Sequence, residues 1–151
     1  MDLDLIKAAA GRMRGHARET PLLNSPFLDE IAGRPIWVKA ECLQHTGSFK
    51  YRGAFAAISA LNEAQRRKGV LAFSSGNHAQ GVALAAKQHD TSALIIMPED
   101  APRIKINNTK ALGAEVQLYD RHKERREAIG ATLADQRGLT LIKPYDEPQV
   151  I

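Results

Sequence analysis

The stretch GVLAFSSGNHAQGVALAAKQHDTSALIIMPED, residues 69–100, carries the alternation that decides the fold. Gly69-Val70-Leu71-Ala72-Phe73 is a short, almost wholly apolar run, as expected of a strand covered on both faces of its sheet. A polar loop follows, and residues 77–88 then read as a helix. Ala93-Leu94-Ile95-Ile96-Met97 is a second apolar strand. Downstream the rhythm continues with a helix over residues 102–112, Pro102 near its start and Gly113 just past its end. A strand over 115–119, a helix over 121–137 and a strand over 139–142 complete it. Strands alternating with helices imply right-handed crossovers and a mostly parallel, open, three-layer α/β sheet.

Upstream the pattern is less regular. Residues 4–17 read as a short helix, followed by a turn at Thr20-Pro21. A second helix runs over 26–33, with Ser25 as cap and Pro26 at its first position. Residues 36–40 read as a strand. The polar segment Gln44-His45-Thr46-Gly47-Ser48 leads into Phe49-Lys50-Tyr51-Arg52-Gly53, and residues 54–64 hold small apolar residues and good helix formers. Pro144-Tyr145-Asp146-Glu147-Pro148 is rich in turn formers, and Gln149-Val150-Ile151 then begins an apolar run that stops at once, which reads as a truncated or divided chain. No sequence repeat or low-complexity segment occurs beyond the strand–helix rhythm.

Composition narrows the function classes. The 151 residues are 44% hydrophobic and 25% charged, ordinary values for a globular domain. No apolar run reaches the roughly 18 residues of a membrane span, and the acidic start Met-Asp-Leu-Asp is unlike a secretory signal. Cys42 is the single cysteine, which excludes an internal disulfide and fits a reducing cytoplasm. The net charge of +4 raises the question of a nucleic-acid partner, but aromatic residues do not interleave with basic ones. The densest charge run, residues 121–127, mixes both signs and reads as a solvated helix face.

Two segments concentrate chemistry. Ser74-Ser75-Gly76-Asn77-His78-Ala79-Gln80-Gly81 leaves a buried-type strand and opens a helix. Ligands of open α/β sheets bind outside the carboxyl ends of the strands, and a helix N-terminus favours a carboxylate or phosphate. Ser and Asn also cap helices, and Gly76 permits a turn, but the density of hydroxyl, amide and imidazole groups favours a binding loop. The second segment, residues 45–53, contains Lys50 at a loop-to-helix junction. Such a lysine is ordinarily just solvated, and reactivity requires partial burial, which Phe49 and Tyr51 could supply. Other motifs fail: there is no P-loop spacing, no G-x-G-x-x-G and no HExxH, and one cysteine with five histidines builds no typical zinc site. His89 and His122 read as surface residues, and Trp37 and the methionines as packing.

Together, Ser48-Phe49-Lys50-Tyr51-Arg52-Gly53-Ala54 and the loop over 74–81 resemble the paired signature of fold-type II pyridoxal-phosphate (PLP) enzymes. The likeness is to the threonine/serine dehydratases (ammonia-lyases), hydroxyaspartate dehydratases and serine racemases. Thr20-Pro21-Leu22, Lys39-Ala40-Glu41-Cys42-Leu43-Gln44, Ala101-Pro102-Arg103-Ile104-Lys105 and Lys110-Ala111-Leu112-Gly113-Ala114 match in the same order, so the resemblance covers nearly the whole chain. It implies that Lys50 binds PLP covalently, that Phe49 packs by the cofactor ring and that Asn77 hydrogen-bonds its phenolic oxygen. It implies that Ser74, Ser75, Asn77 and His78, with backbone N–H groups, hold the substrate carboxylate, and that Ser75 stands where racemases carry a second acid/base.

The implied reaction is loss of water from L-threonine or L-serine to give a 2-oxo acid and ammonia, with racemisation or 3-hydroxyaspartate dehydration as alternatives. The implied partner is a small hydroxyamino acid, and the full-length protein would be a homo-oligomer; composition argues for no nucleic-acid or membrane partner, and no metal ligand is expected among these residues. A full member is roughly twice as long. The glycine-rich phosphate loop, the group facing the pyridine nitrogen and any metal site fall in the part not present here. The resemblance places residues 1–68 in an incomplete large domain, 69–146 in the small α/β domain, and 147–151 at the return to the large domain. The chain alone is then expected to hold PLP weakly, or to be an inactive fragment that folds only its small domain and offers exposed apolar surface to a partner.

Overall fold

The computed structural model describes residues 2–150; Ile151, the end of the expected 147–151 segment, and Met1 lie outside them. In chain order the elements are α1 (Leu3–Met13), β1 (Leu22–Asn24), α2 (Pro26–Ala32), β2 (Trp37–Lys39), α3 (Lys50–Ser59), α4 (Glu63–Lys68), β3 (Val70–Phe73) and α5 (Asn77–Gln88). They continue with β4 (Ala93–Pro98), α6 (Arg103–Ala111), β5 (Glu115–Tyr119), α7 (Arg126–Arg137) and β6 (Thr140–Leu141). Two 3-10 turns, Glu41–Leu43 and His45–Gly47, lie between β2 and α3.

The four strands from β3 onward form one sheet in the order β5-β4-β3-β6, and every pairing is parallel. Because side chains alternate along a strand, Val70 and Ala72 of β3, with Ile95 and Met97 of β4, face a core shared with α3, α5 and α6. Leu71, Leu94 and Ile96 face the other way, against Ile129 and Leu133 of α7. That is the expected three-layer arrangement. Central β3 and β4 are covered on both faces, whereas β5, at the sheet edge, is mostly exposed.

The most extensive contact between two helices is between α3 and α5. It is built from small residues, among them Ala54 and Ala57 on one helix and Ala79, Ala85 and Ala86 on the other. At Gly81 the two backbones nearly touch. A Cβ there would lie 3.1 Å from the carbonyl carbon and oxygen of Lys50 and from the amide nitrogen of Tyr51. Gly130 does the same for α7, since the Phe73 ring occupies the place its Cβ would take.

Several expectations are corrected. The helix expected over 54–64 is two helices, and it starts earlier, at Lys50. A break at Leu61 is followed by a new start at Asn62, whose side chain accepts from the Gln65 amide at 2.9 Å while Gln65 Oε1 accepts from the Asn62 amide at 3.0 Å. The helix expected over 121–137 begins only at Arg126, because Asp120 closes a turn, its carboxylate accepting from His122 N at 2.8 Å and its carbonyl from Glu124 N at 2.8 Å. The charge run over 121–127 is therefore largely a loop, not a helix face. Helix 4–17 ends at Met13, and Ser25 makes no side-chain capping bond, although Pro26 does stand at the first position of α2.

The short strand β1 has no counterpart among the expected elements. It pairs antiparallel with β2 in a separate two-stranded sheet. Trp37, read as packing, is 62% exposed on this hairpin, beside exposed Leu22, Leu23 and Val38. His89, read as a surface residue, is half-buried and lies against the Phe55 ring at 4.6 Å, with His16 stacked on the same ring at 4.9 Å.

Candidate active site

Lys50 is the first residue of α3, so the loop before it aims its side chain. That loop is tightly wound: Thr46 and Gly47 take left-handed backbone angles, with φ of 58° and 71°. A β-branched residue is strained there by about 1–3 kcal/mol, and such strain gathers at functional sites. The Thr46 and Ser48 hydroxyls are buried without a partner among the described residues. The Lys50 side chain is half-buried; its Nζ donates to the Pro144 carbonyl at 2.6 Å and lies 5.2 Å from the centre of the Phe49 ring. Phe49 itself is 57% exposed, an apolar ring face open beside an amine.

The second expected segment meets the first. Gly76 caps α5 without any side-chain hydrogen bond to the first turn. The polar groups of the loop are thus not consumed in capping, and the first-turn N–H groups point outward with the positive end of the helix dipole. Ser74 Oγ accepts from Gly76 N at 3.1 Å, while Ser75 and Asn77 are exposed. His78, by contrast, points inward. It is buried, and its Nε2 lies 3.1 Å from the Ile142 carbonyl. Burial pushes its pKa below the usual imidazole value; the bond to Ile142 opposes this, and nearby Lys50 adds to it. Its Nδ1 has no partner among the described residues.

Residues with no assigned role in the sequence reading also border this loop. Lys105 lies over Gly76, 2.8 Å from where a Cβ would be, and donates to Asn77 Oδ1 at 3.3 Å. At the carboxyl ends of β3, β4 and β5 a cavity of about 230 Å³ is lined by Ser74 and Ser75 together with Tyr119, Arg121 and Arg126. Arg121 pairs with Asp100 at 2.7 Å and Arg126 with Glu127 at 2.8 Å, and each guanidinium keeps further donors. The signal for Arg121 was Asp120, a turn former whose hydrogen bonds keep residues 121–125 out of α7; Arg126 is the first residue of that helix.

The arrangement is an open α/β sheet with an amine, an uncapped helix N-terminus and a cationic cavity gathered at its carboxyl edge. Orphaned buried polar atoms beside an exposed aromatic ring fit a planar, anionic carbonyl cofactor held by lysine. Such a set of groups fits the class of enzymes that hold a cofactor on a lysine. The comparisons give the family: a profile described as "Pyridoxal-phosphate dependent enzyme" matches residues 13–151, and the chain belongs to this PLP-dependent family. Among its relatives, the L-threo-3-hydroxyaspartate ammonia-lyase of Pseudomonas sp is 55% identical over 148 residues, covering 98% of this chain and 46% of that protein. The crystal structure of serine racemase from Dictyostelium discoideum superposes with a TM-score of 0.94 at 39% identity, covering 99% of this chain and 49% of that one. Maize serine racemase superposes at 0.92 with 38% identity, covering 97% and 44%. The chain thus spans just under half the length of these relatives.

Proposed function

We propose that the protein is a PLP-dependent hydroxyamino-acid ammonia-lyase that removes water from a 3-hydroxy amino acid to yield a 2-oxo acid and ammonia. The observation that carries this reading is that the Lys50 amine and His78, in the first turn of the uncapped helix α5, both bond the segment 142–144 just past β6. Lys50 holds the cofactor, and its Nζ, once free, takes the proton from the substrate α-carbon. Phe49 covers the ring, and Asn77 donates to its phenolic oxygen. Bound PLP supplies the electron sink for the charge left at that carbon. The first-turn N–H groups of α5, with Ser74 and Ser75, hold the α-carboxylate. In this reading residues 69–146 form the small domain, and residues 1–68 and 147–151 belong to a larger one; the exposed apolar hairpin supports that division.

Among threonine, serine and 3-hydroxyaspartate, the cavity favours the last. Arg121 and Arg126 line one cavity with Ser74 and Ser75, so a second carboxylate held there would meet guanidinium groups, and guanidinium–carboxylate pairs are strong and directional. Ser75, exposed on the loop, supports racemisation as the second reading.

The test supplies PLP to the full-length protein and compares L-threo-3-hydroxyaspartate with L-serine and L-threonine, following 2-oxo acid and the configuration of recovered amino acid. Release of 2-oxo acid that disappears in Lys50→Ala supports the lyase, and inversion without it supports the racemase. Arg126→Ala should lower kcat/KM for the dicarboxylic substrate about 10- to 100-fold, as for a lost charged hydrogen bond, and leave that for serine nearly unchanged. Equal loss on both substrates rejects the second-carboxylate assignment.

A further inference from the structure

His78 and Lys50 approach the same piece of backbone. Lys50 Nζ bonds the Pro144 carbonyl at 2.6 Å, and His78 Nε2 bonds the Ile142 carbonyl at 3.1 Å. The two carbonyls belong to residues two apart in the chain, just past β6, and the charge of Lys50 acts on the His78 ring. His78 is also one helical turn before Gly81, the residue seated on the Lys50 backbone.

A carbonyl can only accept, so Nε2 must carry the proton that is shared with Ile142. In the neutral ring Nδ1 is then a bare acceptor. At 3% exposure and with no partner among the described residues, it is an unsatisfied acceptor in a low-dielectric site, and such a group is costly unless a donor reaches it. It cannot donate to a substrate carboxylate. Lys50, for its part, has three donors as an ammonium and an acceptor in Pro144.

We propose that His78 is the positioning residue of Lys50: its tautomer is fixed by Ile142, and Nδ1 accepts a hydrogen bond from Nζ when the lysine leaves the Pro144 carbonyl. The free amine then has two resting places, Pro144 and His78, instead of solvent. This rests on Lys50 being the reactive lysine, but it is tested without cofactor.

Long-range ¹H–¹⁵N correlation on the full chain should show His78 with Nε2 protonated and Nδ1 bare, unchanged from about pH 8 to about pH 6, across the range where an ordinary imidazole titrates. A protonated Nδ1 in that range overturns the proposal. Two variants separate positioning from a merely structural tie between α5 and β6. His78→Asn keeps an acceptor near the place of Nδ1 and loses the bond to Ile142, whereas His78→Gln keeps an amide for Ile142 and loses the Nδ1 acceptor. Lys50 labelling by an amine reagent, read by peptide mass against the other lysines, should be near the native rate in His78→Asn and about tenfold faster in His78→Gln, the effect of one lost hydrogen bond. The opposite order, or equal change in both, overturns the proposal. A failure of Lys50→Ala to abolish PLP-dependent turnover would instead reject the assignment of the reactive lysine and leave the tautomer result standing.

Discussion

Replacing Gly81 with alanine opposes two effects of known sign. Alanine in a helix interior is favoured over glycine by about 1 kcal/mol, so on propensity alone α5 should gain. The new methyl would meet three atoms at 3.1 Å, and all are main chain: the Lys50 carbonyl carbon and oxygen and the Tyr51 nitrogen. A flexible side chain could swing away; a helix backbone can relieve the contact only if α3 and α5 separate by a few tenths of an ångström. The interface is lined with alanines, so separation loosens contacts along its length, and overpacking of this kind costs about 1–3 kcal/mol. The net expectation is destabilisation of about 0–2 kcal/mol, measured by urea unfolding, together with a displaced Lys50 seen as altered amine labelling. A variant stabilised by about 1 kcal/mol, with native Lys50 labelling, would refute the idea that this main-chain contact sets the position of the lysine.

Two other outcomes are expected. His78 and His89 both have folded-state pKa values below their ordinary 6.5, chiefly through burial, so the unfolded chain binds protons first. Stability should be full above that value and fall as pH drops below it, seen as a lower urea midpoint at about pH 5.5 than at about pH 8; a midpoint unchanged over that interval counts against their burial. Asn62→Ala removes one half of the reciprocal cap of α4 and should lower stability by about 1 kcal/mol, with the rescuing variant Asn62→Ser recovering most of it in the same denaturation assay.

Much of the architecture could be read from local pattern. β3, α5, β4 and β5 follow from apolar runs and small-residue helices, and α5 has the bounds that its periodicity predicts. What escaped depends on tertiary or turn chemistry. β1 has three residues, none of them buried, and exists because it pairs with β2; no periodicity announces a strand that short. The start of α7 is set by the hydrogen bonds of Asp120, which compete with helix formation. Arg121 and Arg126 escaped the sequence reading of the site because a mixed-charge run looks solvated until the Asp120 turn and the start of α7 set two of its members in one cavity with Ser74 and Ser75. His89 reads as a surface residue because the ring that covers it, Phe55, comes from another helix. Lys50 and the loop over 74–81 were legible as a pair, but their meeting point on residues 142–144 is a matter of packing alone.

The β1–β2 hairpin has a practical consequence. Among the described residues each of its strands pairs only with the other, leaving main-chain edges free, and Leu22, Leu23, Trp37 and Val38 stand exposed along it, with Phe27 and Ile31 of α2 nearby in sequence. Open edges flanked by apolar side chains invite strand addition. Purified alone, this chain is therefore a sample to keep dilute and cold, and its hairpin is the first place to put charge when a soluble variant is wanted.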